Sequence, residues 1–170
     1  MTTLKEIVPL FFALLLVIPV GDGRHANIFA AEKILVFSTW EGFEADKCAS
    51  IWLMKRFIDK NTVIKFFPKG EAINEGIPFD TPDAKFRRYH NMSTFESLLR
   101  GYNLQDPKLI HIGKIIHDIE INIWEKKRMP ETSKVQEAIN NIILNSKNNN
   151  EVREKSCKYF DSLYKEVGSR

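Results

Sequence analysis

Histidines and carboxylates in the second half of the chain have a spacing that could support metal chemistry. His117 and Glu120 are three positions apart, so both side chains can project from one face of a helix. His90 and Glu96 precede them, and the four residues together would supply two imidazoles and two carboxylates. This donor mixture suits Zn, Mn, Fe or Cu better than a metal that selects thiolates. The sequence therefore predicts a divalent transition metal held by His90, Glu96, His117 and Glu120.

Two of these residues also have a purely structural interpretation. His117 could be a partly buried histidine that is hydrogen-bonded to the adjacent Asp118 or to a backbone carbonyl. Glu96 ends the segment Ser93-Thr94-Phe95-Glu96, which has the pattern of a capping box in which the acid reaches back to the Ser93 amide. Both interpretations stay open at the level of sequence.

Arg56 is a candidate for binding an anion, because its planar guanidinium can form a two-point contact with an oxyanion such as sulfate. The alternative is a salt bridge from Arg56 to Asp59 or Asp80. Asp46 could line the same site or belong to a structural ion pair. Asp46 lies ten residues before Arg56, which is roughly three helical turns, so the two cannot touch on one straight helix.

The elements that must position these residues begin with strands. Residues 34–39 form an apolar, β-branched run that predicts a strand, and residues 62–68 predict a second one. Between them, residues 44–59 place their apolar side chains at helical spacing. Two short extended pieces, 77–80 and 84–89, follow on either side of a turn signal.

The second half of the chain is predicted to be helical. The capping box starts a helix that runs to about residue 102, and Asp106-Pro107 starts another with an apolar stripe from Leu109 to Ile123. Met129-Pro130 begins a third helix, and a fourth follows the polar stretch 147–150. The predicted fold class is α+β, with a small N-terminal β-sheet and one helix followed by a mostly helical second half.

The N-terminal residues have the pattern of a secretory signal. The apolar run 9–20 is shorter than the roughly 20 residues that a membrane-spanning helix needs, and it follows a single lysine, Lys5. We expect a signal peptide over residues 1–30 and one domain over residues 31–170, which would work in the periplasm or outside the cell with no transmembrane span. An uncleaved signal that tethers the chain to the membrane is the alternative.

The amino-acid composition and the motifs that are absent limit the kinds of partner and active site that are expected. The formal net charge of +3 is too small to favour nucleic acid as a partner. Glycine-rich phosphate loops and Gly-x-Ser-x-Gly nucleophile elbows are absent from the sequence. Cys48 and Cys157 could form a disulfide outside the cytoplasm or remain two buried thiols.

Several separated motifs match one known family in order. They are DKCASIWLMKRFID at residues 46–59, then Phe79-Asp80, His90, Thr94-Phe95-Glu96, Asp106-Pro107, IIHDIE at residues 115–120, Pro130-Glu131 and FDSLY at residues 160–164. On these motifs the chain resembles the C-terminal domain of the ChrB chromate-resistance family, also called chromate resistance exported protein, over about residues 35–167.

The resemblance implies a role in chromate resistance or sensing. The expected partner is therefore a metal ion or a small oxyanion such as chromate, which Arg56 could bind. The family's polar motif positions correspond here to Asp46, Arg56, His90, Glu96, His117 and Asp118. Ser93 stands where the family often has cysteine, so a ligand role for that cysteine does not carry over. The family's DNA-binding part has no counterpart in the sequence, so a role in transcription is not expected.

Three functions follow as hypotheses. The first is an exported ChrB-like domain with a His/carboxylate metal site, which could be a metal-dependent redox enzyme. The second is a non-enzymatic binding module that responds to an oxyanion or a metal. The third is a structural domain of the cell envelope, in which the polar residues only organise the fold.

Overall fold

The computed structural model describes residues 34–167. The predicted signal peptide and its cleavage site lie outside this range and stay predictions. The first half of the described chain contains strand β1 (Val36–Trp40), helix α1 (Ala45–Leu53), strand β2 (Val63–Phe67) and strand β3 (Ile77–Pro78). The two predicted strands and the predicted helix are therefore confirmed, with ends shifted by a few residues.

The three strands form one parallel sheet in the order β2-β1-β3. Phe37 on the central strand pairs with Ile64 on one side and with Ile77 on the other. Parallel pairing of β1 with β2 requires a crossover, and α1 provides it. The chain places β2 and β3 on opposite sides of β1, so a crevice is expected beyond the carboxyl ends of these strands.

Helix α1 continues into one π-helical turn, Met54–Ile58, before the chain becomes extended at Asp59. All nine residues of α1 are buried, and the helix packs against each of the four later helices. A π-helical turn is wider than an α-helical one and is often found at functional sites. Arg56 lies in this turn.

The second half consists of α2 (Thr94–Gly101), α3 (Pro107–Glu120), α4 (Thr132–Leu144) and α5 (Asn149–Glu166). The predicted α+β fold class is thus confirmed. The capping box is present, since the Ser93 side chain accepts from the Glu96 amide while the Glu96 side chain accepts from the Ser93 amide. The Asn148 side chain caps α5 in the same way by accepting from the Glu151 amide, so this helix begins inside the predicted polar break.

Two local expectations differ from the structure. Residues 84–89 form no strand, and only isolated bridges, Phe79 to Phe86 and Tyr89 to Met92, occur there. The left-handed backbone of Asp80, with φ of 53°, turns the chain after β3. The apolar stripe of α3 is buried up to Ile119, but Ile123 is exposed because the helix already ends at Glu120.

Both cysteines are buried free thiols, so the alternative to a disulfide is the arrangement found here. Cys48 lies in α1 and is fully buried, while Cys157 lies in α5. Between residues 34 and 167, no helix combines the length and the apolar character that crossing a membrane would require.

Candidate functional site

The N-terminus of α2 is held by a carboxylate from another helix. Asp46 on α1 accepts hydrogen bonds from the backbone amides of Thr94 (2.7 Å) and Phe95 (2.8 Å). The first amides of a helix have no partner within the helix, and the positive end of the helix dipole favours a negative charge there. Asp46 is fully buried, so this carboxylate connects α1 to α2 inside the protein.

An arginine joins two further acids beside Asp46. Glu120 accepts from the Asp46 amide through Oε1 (3.3 Å) and from the Arg88 guanidinium through Oε2 (2.7 Å). Arg88 also donates to Glu44 (2.8 Å), and its Nε lies 4.0 Å from Asp46 Oδ2. Glu120 therefore belongs to a cluster around Arg88, which the spacing of Glu120 on α3 did not indicate.

The acids of this cluster have shifted pKa values. Burial raises the pKa of Asp46 to about 8, and the nearby charge of Asp80 adds to the shift, although the two backbone hydrogen bonds oppose it. Burial also raises the pKa of Asp80 and of Glu120. The cluster can therefore hold a proton at neutral pH.

Asp80 lies at the crevice beyond the carboxyl ends of the strands. It accepts from the Thr94 hydroxyl (2.7 Å) and lies 3.5 Å from the Lys47 ammonium group. The Lys47 ammonium group also donates to the carbonyls of Trp40 and Gly42 (both 2.8 Å). A cavity of about 280 Å³ opens here, lined by Trp40, Glu41, Gly42, Phe43, Glu44, Lys47, Lys69 and Asp80.

Sequence reasoning did not select Lys47, Arg88 or Glu44 as site residues. The sequence contained one signal for a site at this edge of the sheet, which is the Phe79-Asp80 pair at the end of the predicted extended piece 77–80. In a parallel sheet, residues that directly follow the strands meet at one edge.

Glu96 and His117 are brought together, as two of the four predicted metal ligands. Glu96 Oε2 lies 2.9 Å from His117 Nδ1 and also accepts from the Ser93 amide (2.8 Å). The capping role of Glu96 and its contact with His117 therefore coexist. A cavity of about 310 Å³ opens beside the pair, lined by Glu96, Lys114, His117, Asp118, Arg128 and Met129.

Asp118 contacts the loop between α3 and α4 instead of His117. Its carboxylate accepts from the amides of Arg128 (2.7 Å) and Met129 (3.0 Å) and from the hydroxyl of Thr132 (2.6 Å). It also accepts from the side-chain amide of Asn122 (2.7 Å). Burial acts to raise the pKa of Asp118, but these hydrogen bonds outweigh it and lower the pKa to about 2.

His90 is exposed before α2, and no residue in the described range forms a hydrogen bond or ion pair with its side chain. Within residues 34–167, no group of three or more His, Cys, Asp or Glu side chains is arranged to hold a metal ion. Of the predicted ligands, Glu96 and His117 thus remain as a pair, and Glu120 contacts Arg88 instead.

Arg56 is engaged by an acid that sequence reasoning did not propose. Its Nε donates to Asp161 Oδ1 (2.9 Å) and its terminal nitrogen donates to Asp161 Oδ2 (3.0 Å), so the guanidinium forms a two-point contact. The Trp52 indole also donates to Asp161 Oδ1 (2.8 Å). The expected salt bridge exists, but its partner is Asp161 on α5 and not Asp59 or Asp80.

Basic side chains surround a cavity between the π-helical turn and α5. This basic cavity, of about 280 Å³, is lined by Lys55, Arg56, Arg153, Glu154, Cys157 and Lys158. Burial lowers the pKa of Lys55, and the neighbouring positive charges of Arg153 and Arg56 lower it further. Four basic residues therefore face one acid, Glu154, around this cavity.

Comparison with known proteins decides the family. The family model described as "ChrB, C-terminal domain" matches residues 37–167. The chain belongs to the ChrB C-terminal-domain family. Membership confirms the resemblance and associates the chain with chromate resistance. Neither the curated proteins nor the solved structures include a match.

In this ChrB-family domain, the polar residues at the family's motif positions lie in different parts of the structure. Asp46 caps α2, Asp118 holds the loop before α4, and Glu96 contacts His117. Arg56 borders the basic cavity and pairs with Asp161, which also accepts from the Trp52 indole. The motif positions thus include structural carboxylates as well as two places where a ligand could bind.

Proposed function

We propose that this ChrB-family domain serves chromate resistance by binding a tetrahedral oxyanion, such as chromate, in the basic cavity. The observation that carries the proposal is the charge of the cavity, where four basic side chains and one acid line the walls. The family association with chromate resistance supports an oxyanion as the ligand.

The four basic residues around the cavity differ in whether their charged groups already have a partner in the protein. Arg56 pairs with Asp161, and the Lys55 ammonium group donates to the Thr62 carbonyl (2.9 Å). Arg153 and Lys158 form no ion pair with any residue between 34 and 167. Arg153 and Lys158 are therefore the groups most available to an incoming anion.

Electrostatics favours an anion at this place. Two opposite unit charges 4 Å apart attract by about 4 kcal/mol at the effective dielectric constant found near protein surfaces. Burial is the main cause of the lowered pKa of Lys55, and the positive charges of Arg153 and Arg56 lower it further. A bound dianion would offset these positive charges. Because the cavity opens to solvent, we expect affinity to decrease as salt concentration rises.

Isothermal titration calorimetry with molybdate tests the proposal, since molybdate is a tetrahedral dianion that oxidises thiols far less readily than chromate. We expect heat of binding for the wild-type chain and a clear loss of affinity in the double variant Arg153→Gln/Lys158→Gln. The double variant Lys60→Gln/Lys126→Gln removes the same charge from exposed positions outside the cavity and is expected to bind normally. Equal affinities in the two double variants would overturn the proposal.

A divalent metal at Glu96 and His117 is a second candidate. The observation in its favour is the 2.9 Å contact between Glu96 Oε2 and His117 Nδ1 beside a solvent-accessible cavity. An imidazole nitrogen and a carboxylate oxygen are donors that zinc and related metals accept, and water could complete the coordination.

Metal analysis of untagged protein after incubation with zinc tests this second candidate. Glu96→Gln separates the two roles of this residue, because glutamine can also complete a capping box. The start of α2 is therefore preserved while the negative charge is removed. We expect both Glu96→Gln and His117→Gln to lose bound zinc. Zinc retained by both variants would eliminate the site.

We also propose that the domain acts outside the cytoplasm. The support is the short apolar run at residues 9–20 with one preceding lysine. Cell fractionation with mass spectrometry of the N-terminus tests this proposal. A full-length chain recovered from the cytoplasm would contradict it.

A further inference from the structure

We propose that Cys157 is a chromate-reactive thiol, which forms a covalent thioester with a chromate ion bound in the basic cavity. The inference rests on the proposed oxyanion site and adds a reaction to it.

The position of Cys157 carries the inference. Its side chain lines the basic cavity although only 6% of the residue is exposed. Arg153 lies one helical turn before Cys157 on α5 and Lys158 directly after it, while Arg56 comes from the π-helical turn. An anion held by these cations would lie beside the sulfur.

Cys157 is also free to react. No described residue forms a hydrogen bond with its sulfur, and it is not part of a disulfide. Cys48 differs, because it is fully buried and is absent from the lining of the cavity. Cys48 can therefore serve as the control for the reactivity of Cys157.

The step is a condensation without change of oxidation state. The Cys157 sulfur bonds to chromium of a hydrogenchromate ion, one Cr–O bond breaks, and that oxygen leaves as water with the thiol proton and the proton of hydrogenchromate. The product is a chromium(VI) thioester with one negative charge, which equals the charge of the reactants. The same basic side chains that bind the reactant would stabilise the product.

Protonation of the thiol fits this step. Burial raises the pKa of Cys157, although the positive charges of Arg56, Lys55 and Arg153 act in the opposite direction. The thiol accordingly carries its proton at neutral pH, and the condensation uses that proton to form water. Binding of the anion supplies the proximity that a protonated thiol needs.

Mass spectrometry of the full chain after brief exposure to chromate tests the inference. We expect a chromium adduct on the peptide that contains Cys157 in the wild type and in Cys48→Ala, and loss of the adduct in Cys157→Ser. Excess molybdate should slow adduct formation by competing for the cavity. An adduct that persists in Cys157→Ser would overturn the inference. So would an adduct that forms at the same rate with and without excess molybdate.

Molybdate calorimetry on the same variants distinguishes the two proposals. Cys48→Ala retains every residue that lines the basic cavity and is expected to bind molybdate as the wild type does. Molybdate binding with Cys157 left unmodified by chromate would refute the reaction alone. If the wild type binds no molybdate, the oxyanion site and the reaction built on it both fail.

Discussion

The carboxylate of Asp46 lies 2.7 Å from the backbone nitrogen of Thr94, 48 residues later in the chain, and so connects α1 to the start of α2. Asp80 approaches the same place, because the Thr94 hydroxyl donates to it (2.7 Å). The start of α2 therefore joins the first helix to the chain segment that follows β3. Removal of either carboxylate should affect both halves of the domain.

Asp46→Ala should destabilise the fold strongly. The substitution leaves the buried amides of Thr94 and Phe95 without acceptors, and each unsatisfied buried group costs about 1–3 kcal/mol. Urea denaturation should show a loss of about 2–5 kcal/mol in the free energy of unfolding. The variant Asp46→Asn retains an acceptor oxygen and should lose less. An alanine variant as stable as the asparagine variant would contradict this account.

The raised pKa of Asp46 predicts an unusual pH dependence. The folded state holds the proton up to about pH 8, whereas the unfolded chain releases it near the ordinary aspartate pKa of 3.8. Between pH 3.8 and about pH 8, the folded state therefore binds more protons than the unfolded chain. The contribution of Asp46 to stability is complete below pH 3.8 and decreases as the pH rises towards 8. The buried acids Asp80 and Glu120 act in the same direction.

Melting temperatures between pH 5 and pH 8 measure this effect, with Asp46→Asn as the comparison. The neutral amide cannot ionise, so the stability advantage of the wild type over the variant should shrink as pH rises. Two parallel curves would show that Asp46 does not titrate in this range.

Asp118→Ala should detach the loop between α3 and α4. The carboxylate accepts from two backbone amides and two side chains in that region, and the pKa of about 2 indicates that it stays charged. Hydrogen bonds to a charged group contribute about 1.5–3 kcal/mol each, so the free energy of unfolding should fall by more than about 2 kcal/mol. Hydrogen exchange of the Arg128 and Met129 amides should accelerate. Unchanged exchange there would argue against the anchoring role.

Asp161→Asn should strengthen oxyanion binding. The substitution removes a negative charge beside the basic cavity and releases part of the Arg56 guanidinium, while the amide oxygen can still accept from the Trp52 indole. The Arg56–Asp161 pair is partly exposed, so its loss should cost only about 0–1 kcal/mol of stability. Calorimetry with molybdate should show tighter binding than in the wild type. Weaker binding in a correctly folded variant would contradict the location of the site.

Local signals explain why much of the fold was predictable. The Ser93–Glu96 capping box and the Asp106-Pro107 start act within one helical turn, so sequence spacing alone specifies them. The apolar stripe of α3 likewise depends only on helical periodicity up to its end at Glu120.

The candidate sites were less predictable because their contacts are distant in sequence. Asp161 lies 105 residues from Arg56, and the π-helical turn that carries Arg56 has no simple sequence signal. His117 and Glu120 do share a region of α3, but their neighbours differ, since Glu96 contacts His117 and Arg88 contacts Glu120. Spacing on one helix identifies possible partners without showing what the facing elements present.

Diffraction from crystals soaked in molybdate tests the central proposal most directly, because the anomalous signal of molybdenum locates the anion. The oxyanion site predicts a peak in the basic cavity, close to Arg153, Lys158 and the Cys157 sulfur. A peak in the cavity beside His117, or a basic cavity that stays empty while calorimetry records binding, would contradict it.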